Sequence, residues 1–144
     1  MGLRLSEILK PFDTGSITLR GQKLPLRAVM AWEESELERQ DPPPIATSDN
    51  FATEQYQLDR QQHQTRKKAA LFGIAAAIEN GKGEEWTPDR DRKWVRAWAV
   101  EIAGNLSDIE LTDAYSAAKA VGYTLPPELQ KSADRIGTAD KPGN

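Results

Sequence analysis

Apolar and polar residues alternate near the start of the chain, as they do in β-strands that bury one face. This alternation predicts two strands, over residues 16–20 and 23–28. Gly21-Gln22 lies between them and suits a two-residue type II′ turn, which takes glycine at its first central position. Pro25 has no N–H to donate, so the second strand is expected at a sheet edge. Each strand carries its apolar residues on one face: Ile17 and Leu19 on the first, and Leu24, Leu26 and Ala28 on the second.

After the hairpin the pattern becomes helical. Residues 31–39 are typical of a short acidic helix, with Trp32 and Leu37 as its main apolar positions. Residues 51–80 contain no proline and predict a long helix that ends at the glycine that follows. The first half of this helix has few apolar residues. The second half repeats them at the spacing of a buried stripe: Leu71, Ile74, Ala75 and Ile78.

Two more helices are predicted beyond residue 86. Thr87 suits the N-cap of the first and Pro88 its first helical position. Ser107 and Glu110 have the spacing of a capping box, which predicts the start of the next helix. Their apolar stripes are Trp94, Val95, Trp98 and Ile102 on the first helix, and Leu111, Ala114, Tyr115, Ala118 and Val121 on the second.

Three consecutive prolines, at positions 42–44, separate the hairpin from the helical part, because proline fixes φ and donates no backbone hydrogen bond. The predicted fold is mainly α, with a small N-terminal β-hairpin and a bundle of about three to four helices. Its expected divisions are a hairpin and acidic helix over 1–40, a proline-rich linker over 41–50, a helical body over 51–125 and a flexible tail over 126–144.

Composition limits the classes of partner and site. The 144 residues carry a net charge of −3, so electrostatic binding to nucleic acid or to an anionic membrane is not expected of the whole chain. No apolar run reaches the roughly 18 residues of a membrane span, and the first residues lack a signal-peptide core. We therefore expect a soluble protein that is not exported. The absence of cysteine excludes disulfides, thiolate nucleophiles and thiolate metal sites.

The polar residues show no catalytic pattern. His63 is the only histidine and is expected to face solvent on the long helix. The carboxylates within residues 33–36 and 84–85 are expected to be solvated surface, because local clustering does not place two carboxylates across a cleft. We therefore predict no catalytic residue, no metal, no cofactor and no enzymatic activity.

Two basic clusters and two tryptophans remain to be interpreted. Residues 66–68 and 90–93 could contact phosphate, but their acidic neighbours favour ordinary helix surface. Trp94 and Trp98 lie one helical turn apart. They are interpreted first as a seam of the core, and alternatively as part of a groove that binds a partner, since tryptophan often anchors interfaces. The poorly anchored first half of the long helix supports the alternative, because such a helix often needs a partner to order it.

The order of segments resembles that of small tail assembly chaperones of long-tailed bacteriophages. The resemblance covers roughly residues 16–121. It consists of a short β segment at 17–21 and 24–27, an acidic helix at 32–37, prolines 42–44 leading through Asp49-Asn50 and Tyr56 into a charged helix, and a closing helix that starts at 106–111.

This resemblance implies a non-enzymatic protein that binds the aggregation-prone tape-measure protein in the host cytoplasm while the tail tube assembles. The surface that faces this partner would include Trp94, Trp98, Leu71 and Ile74, and the chain could also form a homo-oligomer. The alternative is a structural component of the virion, such as a minor tail, baseplate or connector subunit. An enzyme ranks third.

Overall fold

The computed structural model describes residues 15–123, which form a two-stranded antiparallel sheet followed by four helices. This confirms the predicted class, mainly α with a small N-terminal hairpin. The predictions for the segments before residue 15 and after residue 123, including the flexible tail, lie outside the described residues. The elements are β1 (Gly15–Leu19), β2 (Gln22–Leu26), α1 (Ala31–Gln40), α2 (Glu54–Ala76), α3 (Arg92–Gly104) and α4 (Asp108–Tyr123).

The hairpin has the predicted faces but a different turn. Leu19 pairs with Gln22, so the two-residue loop is Arg20-Gly21, one position earlier than predicted. Both loop residues have positive φ, 50° and 80°, as in a type I′ turn, whose twist matches that of the strands. A non-glycine residue is costly there, but Arg20 is held by two hydrogen bonds of 2.8 and 2.9 Å to the carboxylate of Glu110. The hydrogen bonds between Arg20 and Glu110 thus hold the hairpin turn against α4.

The core is centred on the second half of α2, where every residue from 69 to 75 is buried. α3, α4 and the inner face of the hairpin surround this segment. The fully enclosed side chains with the largest volumes are Trp98, Phe72, Leu26 and Val95. The apolar stripes predicted for α3 and α4 face this core, which confirms their periodicity. Within the described residues, none of the helices is long and apolar enough to cross a membrane.

Gly73 allows α3 to approach α2 closely. A Cβ atom built on Gly73 would lie 2.6 Å from a ring carbon of Trp98 and 2.7 Å from the Cδ1 of Ile102. These distances are too short for ordinary carbon contacts, and both neighbours are enclosed in the core. Glycine in the middle of a helix is therefore explained here by packing.

Replacing Gly73 by alanine is expected to lower the free energy of unfolding by about 1–2 kcal/mol. Overpacking a tight core costs about 1–3 kcal/mol, and the better helix propensity of alanine offsets up to about 1 kcal/mol of this loss. Urea denaturation followed by circular dichroism measures the change. Gly104→Ala is the matched control, because nothing lies within 4 Å of the added atom. A Gly73→Ala protein as stable as that control would contradict the close packing.

The end of α2 and the start of α3 differ most from the prediction, and local hydrogen bonds explain both. α2 ends at Ala76, where Ala77 adopts a left-handed conformation (φ 53°), and the N–H of Ile78 returns to the carbonyl of Gly73 at 2.9 Å. α3 begins at Arg92 instead of at Pro88, because Asp91 is the N-cap. The Asp91 carboxylate accepts the N–H of Trp94 at 2.7 Å. Thr87 is instead hydrogen-bonded to Asp89 in the preceding turn.

The start of α4 is as predicted. The hydroxyl of Ser107 accepts the N–H of Glu110 at 3.2 Å, and the carboxylate of Glu110 accepts the N–H of Ser107 at 3.0 Å, which is a capping box. Hydrogen bonds from Arg20 and then from Ser107 lower the pKa of Glu110 to about 2. One carboxylate therefore caps α4 and anchors the hairpin turn.

Candidate partner-binding surface

The four residues predicted to bind a partner do not form a surface in this fold. Leu71, Ile74 and Trp98 are only 2%, 3% and 2% exposed and belong to the core. Trp94 is half-buried and stacks on Trp98, with ring centroids 5.8 Å apart. Its indole N–H donates to Glu84 at 3.1 Å. The interpretation as a core seam therefore describes these residues in the folded chain, and an accessible binding surface has to be sought elsewhere.

The residue that opens the proline segment is the centre of a polar network. Asp41 follows α1 directly and is 6% exposed. Its carboxylate accepts hydrogen bonds from the Nε of Arg66 on α2 at 2.8 Å and from the Nε of Arg96 on α3 at 2.9 Å. Burial alone would raise the pKa of Asp41, but the two arginines outweigh it and hold the pKa below its ordinary value. Asp41 thus ties three helices together.

His63 belongs to the same network, so its predicted solvent-facing position is wrong. The side chain is buried, and its Nε2 lies 2.9 Å from the backbone oxygen of Asp41. His63 and Arg66 are spaced i, i+3, which places them on the same face of α2. That spacing was the only feature of the sequence that related His63 to the network. It does not indicate that His63 contacts Asp41, which lies 22 residues earlier in the chain.

The expectation that Glu33 lies on the solvated surface is also wrong, because the residue is only 4% exposed. Its two carboxylate oxygens each accept a hydrogen bond of 2.8 Å from Arg27, and one also accepts the N–H of Met30 at 3.0 Å. Burial would raise the pKa of Glu33, but Arg27 and the Met30 N–H lower it below its ordinary value. The carboxylate caps the first turn of α1 and has no free face for chemistry.

α1 is also held to the loop before α3. The amide of Gln40 donates to the carbonyl of Pro88 at 2.8 Å and accepts the indole N–H of Trp86 at 3.1 Å. Trp32, predicted as a main apolar position of this helix, is instead 57% exposed, while Leu37 is buried. The inner face of α1 is therefore largely polar, which its sequence did not indicate.

Beside this network lies a basic cavity of about 590 Å³, which we name the arginine cleft. The prolines and Ile45 form one wall, and α2 and α3 form the others. The described charged residues of its lining are three arginines and one aspartate, which give this part of the lining two net positive charges. The described lining residues are Pro42, Pro43, Pro44, Ile45, Asp59, Gln62, Arg66, Arg92 and Arg96.

A second cavity of about 600 Å³, which we name the apolar groove, lies between the first half of α2 and the end of α3. Leu58 and Val100 lie on its two sides and are 47% and 55% exposed, although both are large apolar residues on well-formed helices. The described residues that line it are Leu58, Gln61, Gln62, Thr65, Arg66, Val100, Ala103 and Gly104.

The arginine cleft and the apolar groove form one continuous surface. Gln62 and Arg66 line both cavities. On α3, Arg92, Arg96 and Val100 follow one another at i, i+4 and i+8, so one face of the helix passes from the cleft to the groove. We call the combined surface the α2–α3 trough. It offers guanidinium donors at one end and aliphatic side chains at the other.

The basic clusters are mostly engaged within the chain, as the interpretation as helix surface predicts. Lys67 pairs with Glu38 at 2.7 Å, and Arg66 is bound to Asp41. The guanidinium of Arg90 lies 4.6 Å from the ring centroid of Trp94. Arg92 and Lys93 are the exceptions, because both are exposed and neither side chain has a hydrogen bond or ion pair with any residue between 15 and 123.

Among the described residues, no three His, Asp or Glu side chains are grouped so that they could hold a metal ion. Comparison of the chain with protein-family models, with curated proteins and with solved structures found no match.

Proposed function

We propose that this chain is a non-enzymatic tail assembly chaperone, which binds an apolar helical segment of the phage tape-measure protein in the apolar groove. The order of segments in the sequence suggests the class of partner. The half-exposed pair Leu58 and Val100, on facing sides of an open groove, is the structural observation that carries the proposal.

The geometry suits a helix as the bound segment. Leu58 and Val100 lie on two different helices with open space between them, which is how helix-in-groove sites receive apolar residues at helical spacing. Covering a fully exposed leucine or valine contributes about 1.5–3 kcal/mol, so covering these two half-exposed side chains contributes about 1 kcal/mol each. The first half of α2, which is mostly exposed, would gain packing from the same event.

Leu58→Asp and Val100→Asp are each expected to weaken retention of the co-expressed tape-measure protein about tenfold or more. Each change removes apolar contact and places a carboxylate against an apolar partner. The measurement is a pull-down from cells that express both proteins, quantified against the wild-type chain. Because both positions are half-exposed, the melting temperatures of the variants should stay close to that of the wild type.

Ile109→Asp is the matched control, because Ile109 is 74% exposed but lies outside the groove. It should leave retention unchanged. Equal loss in all three variants would show that exposed apolar area in general, and not the groove, causes binding. Mass spectrometry of purified virions tests the role itself: a chaperone should be absent, whereas a fixed copy number per particle would favour the structural-component alternative.

A further inference from the structure

The arginine cleft holds more hydrogen-bond donors than the chain uses. Arg96 donates to Asp41 through its Nε, and neither of its terminal nitrogens has an acceptor within residues 15–123. Arg66 uses its Nε and one terminal nitrogen on the same carboxylate, which leaves its other terminal nitrogen free. These free nitrogens reach solvent, since no side-chain nitrogen of either residue is both buried and unpaired. With Arg92, three guanidinium groups offer donors to the cleft.

The positive charge of the cleft is only partly balanced. Asp59 is the one acidic residue in the described part of the lining, and it already accepts a hydrogen bond from Gln55 at 2.8 Å. Asp41 lies beneath the lining with its carboxylate bound by Arg66 and Arg96. Three arginines against these two aspartates leave a local charge of +1, in a chain whose net charge is −3. A basic cleft in an acidic protein favours a ligand with a small, localised negative charge.

We propose that the arginine cleft is a carboxylate-binding subsite, so that the segment held in the α2–α3 trough is an acidic amphipathic helix. This inference rests on the proposed function, because it specifies the chemistry of the segment that the groove binds. The apolar residues of the segment lie between Leu58 and Val100. Its Glu or Asp side chains reach Arg92 and the free terminal nitrogens of Arg96.

The planar guanidinium group suits a carboxylate or a phosphate, because its paired N–H donors match two oxygens of either. Two features of the trough favour carboxylate over nucleic acid. The trough continues into aliphatic surface, whereas a phosphate backbone would need further cations along its path. Among residues 15–123, no aromatic side chain on which a base could stack lines either cavity.

The test uses two synthetic peptides of about 18 residues with capped ends, long enough to form helix on binding. Both carry leucines at helical spacing. One has glutamates beside the leucines, and the other has glutamines at those positions. By fluorescence anisotropy we expect the wild-type chain to bind the glutamate peptide about fivefold more tightly at low salt, as befits an exposed ion pair. The preference should shrink as salt is added.

Arg92→Gln should remove most of this preference and leave the affinity for the glutamine peptide unchanged. Arg92 is suitable because no described residue depends on it, so the variant should fold normally. Arg60→Gln is the matched control: Arg60 is also an exposed helical arginine, but it does not line the cleft. It should keep the full preference.

The remaining outcomes separate this inference from the proposed function. Equal binding of both peptides, lost in Leu58→Asp, would overturn the carboxylate subsite and leave the groove intact. Binding of neither peptide would contradict both. Competition by a single-stranded oligonucleotide that depends on Arg92 would show that the cleft takes phosphate, and a dimer that Arg92→Gln dissociates in sedimentation would show that its ligand is a second copy. Either result would overturn the inference.

Discussion

Replacing Trp98 by alanine is expected to lower the free energy of unfolding by about 4 kcal/mol, because large-to-small changes of this kind in a core typically cost about 3–5 kcal/mol. The side chain is 2% exposed, and its ring lies against Gly73 of α2. Its indole N–H also donates to the carbonyl of Ile78 at 2.9 Å, and alanine would leave that carbonyl without this donor. Urea denaturation followed by far-ultraviolet circular dichroism measures the change without depending on tryptophan fluorescence.

Trp32→Ala is the control for this prediction, since the same residue type is removed from a position that is 57% exposed. Its expected effect is within about 0.5 kcal/mol, as for most surface substitutions. Trp98→Phe should fall between the two, because it keeps most of the buried volume and loses only the hydrogen bond and part of the ring. Equal stability of the Trp98→Ala and Trp32→Ala proteins would contradict the packing of α3 on α2.

The same tryptophans show what periodicity predicts and what it does not. Trp98 lies in a stripe with Val95 and Ile102, and helical spacing was enough to place all three on the inner face of α3. Trp32 has no comparable stripe. The inner face of α1 is instead determined by Glu33 and Gln40, whose partners lie in other segments. A buried polar face resembles an exposed one in sequence, so hydrophobic patterning could not identify it.

The start of α4 was predictable from its capping residues. Ser107 and Glu110 formed the expected capping box, although Arg20 also donates to the Glu110 carboxylate. Thr87 had an equally good capping signal, but Asp89 two residues later bonds its hydroxyl, and Asp91 then caps α3. Choosing between Thr87 and Asp91 requires the relative free energies of two short-range arrangements. The residue types alone do not give them.

The candidate surface was the part least accessible to sequence reasoning. Leu58 is a single apolar residue on a polar stretch of α2, whereas Val100 has apolar neighbours in sequence but lies outside the stripe predicted for α3. Their proposed role depends on the way α2 and α3 face each other, which is decided by core residues on the opposite sides of these helices. The large aromatic and aliphatic residues that were predicted to bind a partner pack in or against the core instead, because large apolar side chains are the ones that a core encloses.

Asp41→Asn is expected to lower the free energy of unfolding by about 3 kcal/mol at pH 7, because removing one partner of a buried ion pair typically costs about 3–5 kcal/mol and the partial exposure of the arginines reduces this. The asparagine keeps the shape of the side chain but leaves Arg66 and Arg96 without their shared counter-charge. Urea denaturation at pH 7, compared with the wild type, measures the loss.

The difference in the free energy of unfolding between the wild type and Asp41→Asn should become smaller as the pH falls. The pKa of Asp41 in the folded chain lies below its ordinary value of 3.8, so its stabilising effect is complete above that value and is lost as the pH falls through the lower, folded-state pKa. The gap between wild type and Asp41→Asn should therefore stay constant around neutral pH and narrow below about pH 4. Asp113→Asn is the control, because Asp113 is an exposed carboxylate on α4 with no ion pair among the described residues. Its free energy of unfolding should stay close to that of the wild type over the same pH range.

Asp41→Asn also distinguishes the contribution of Asp41 to stability from any contribution to peptide binding. The substitution removes a negative charge beneath the arginine cleft and weakens the hydrogen bonds by which Asp41 held Arg66 and Arg96. The preference for the glutamate peptide should therefore be retained or increased under conditions where the variant is folded. A folded Asp41→Asn protein that has lost this preference would mean that Asp41 is needed to orient the arginines toward the ligand. The acidic residue after α1 would then contribute to recognition as well as to the fold.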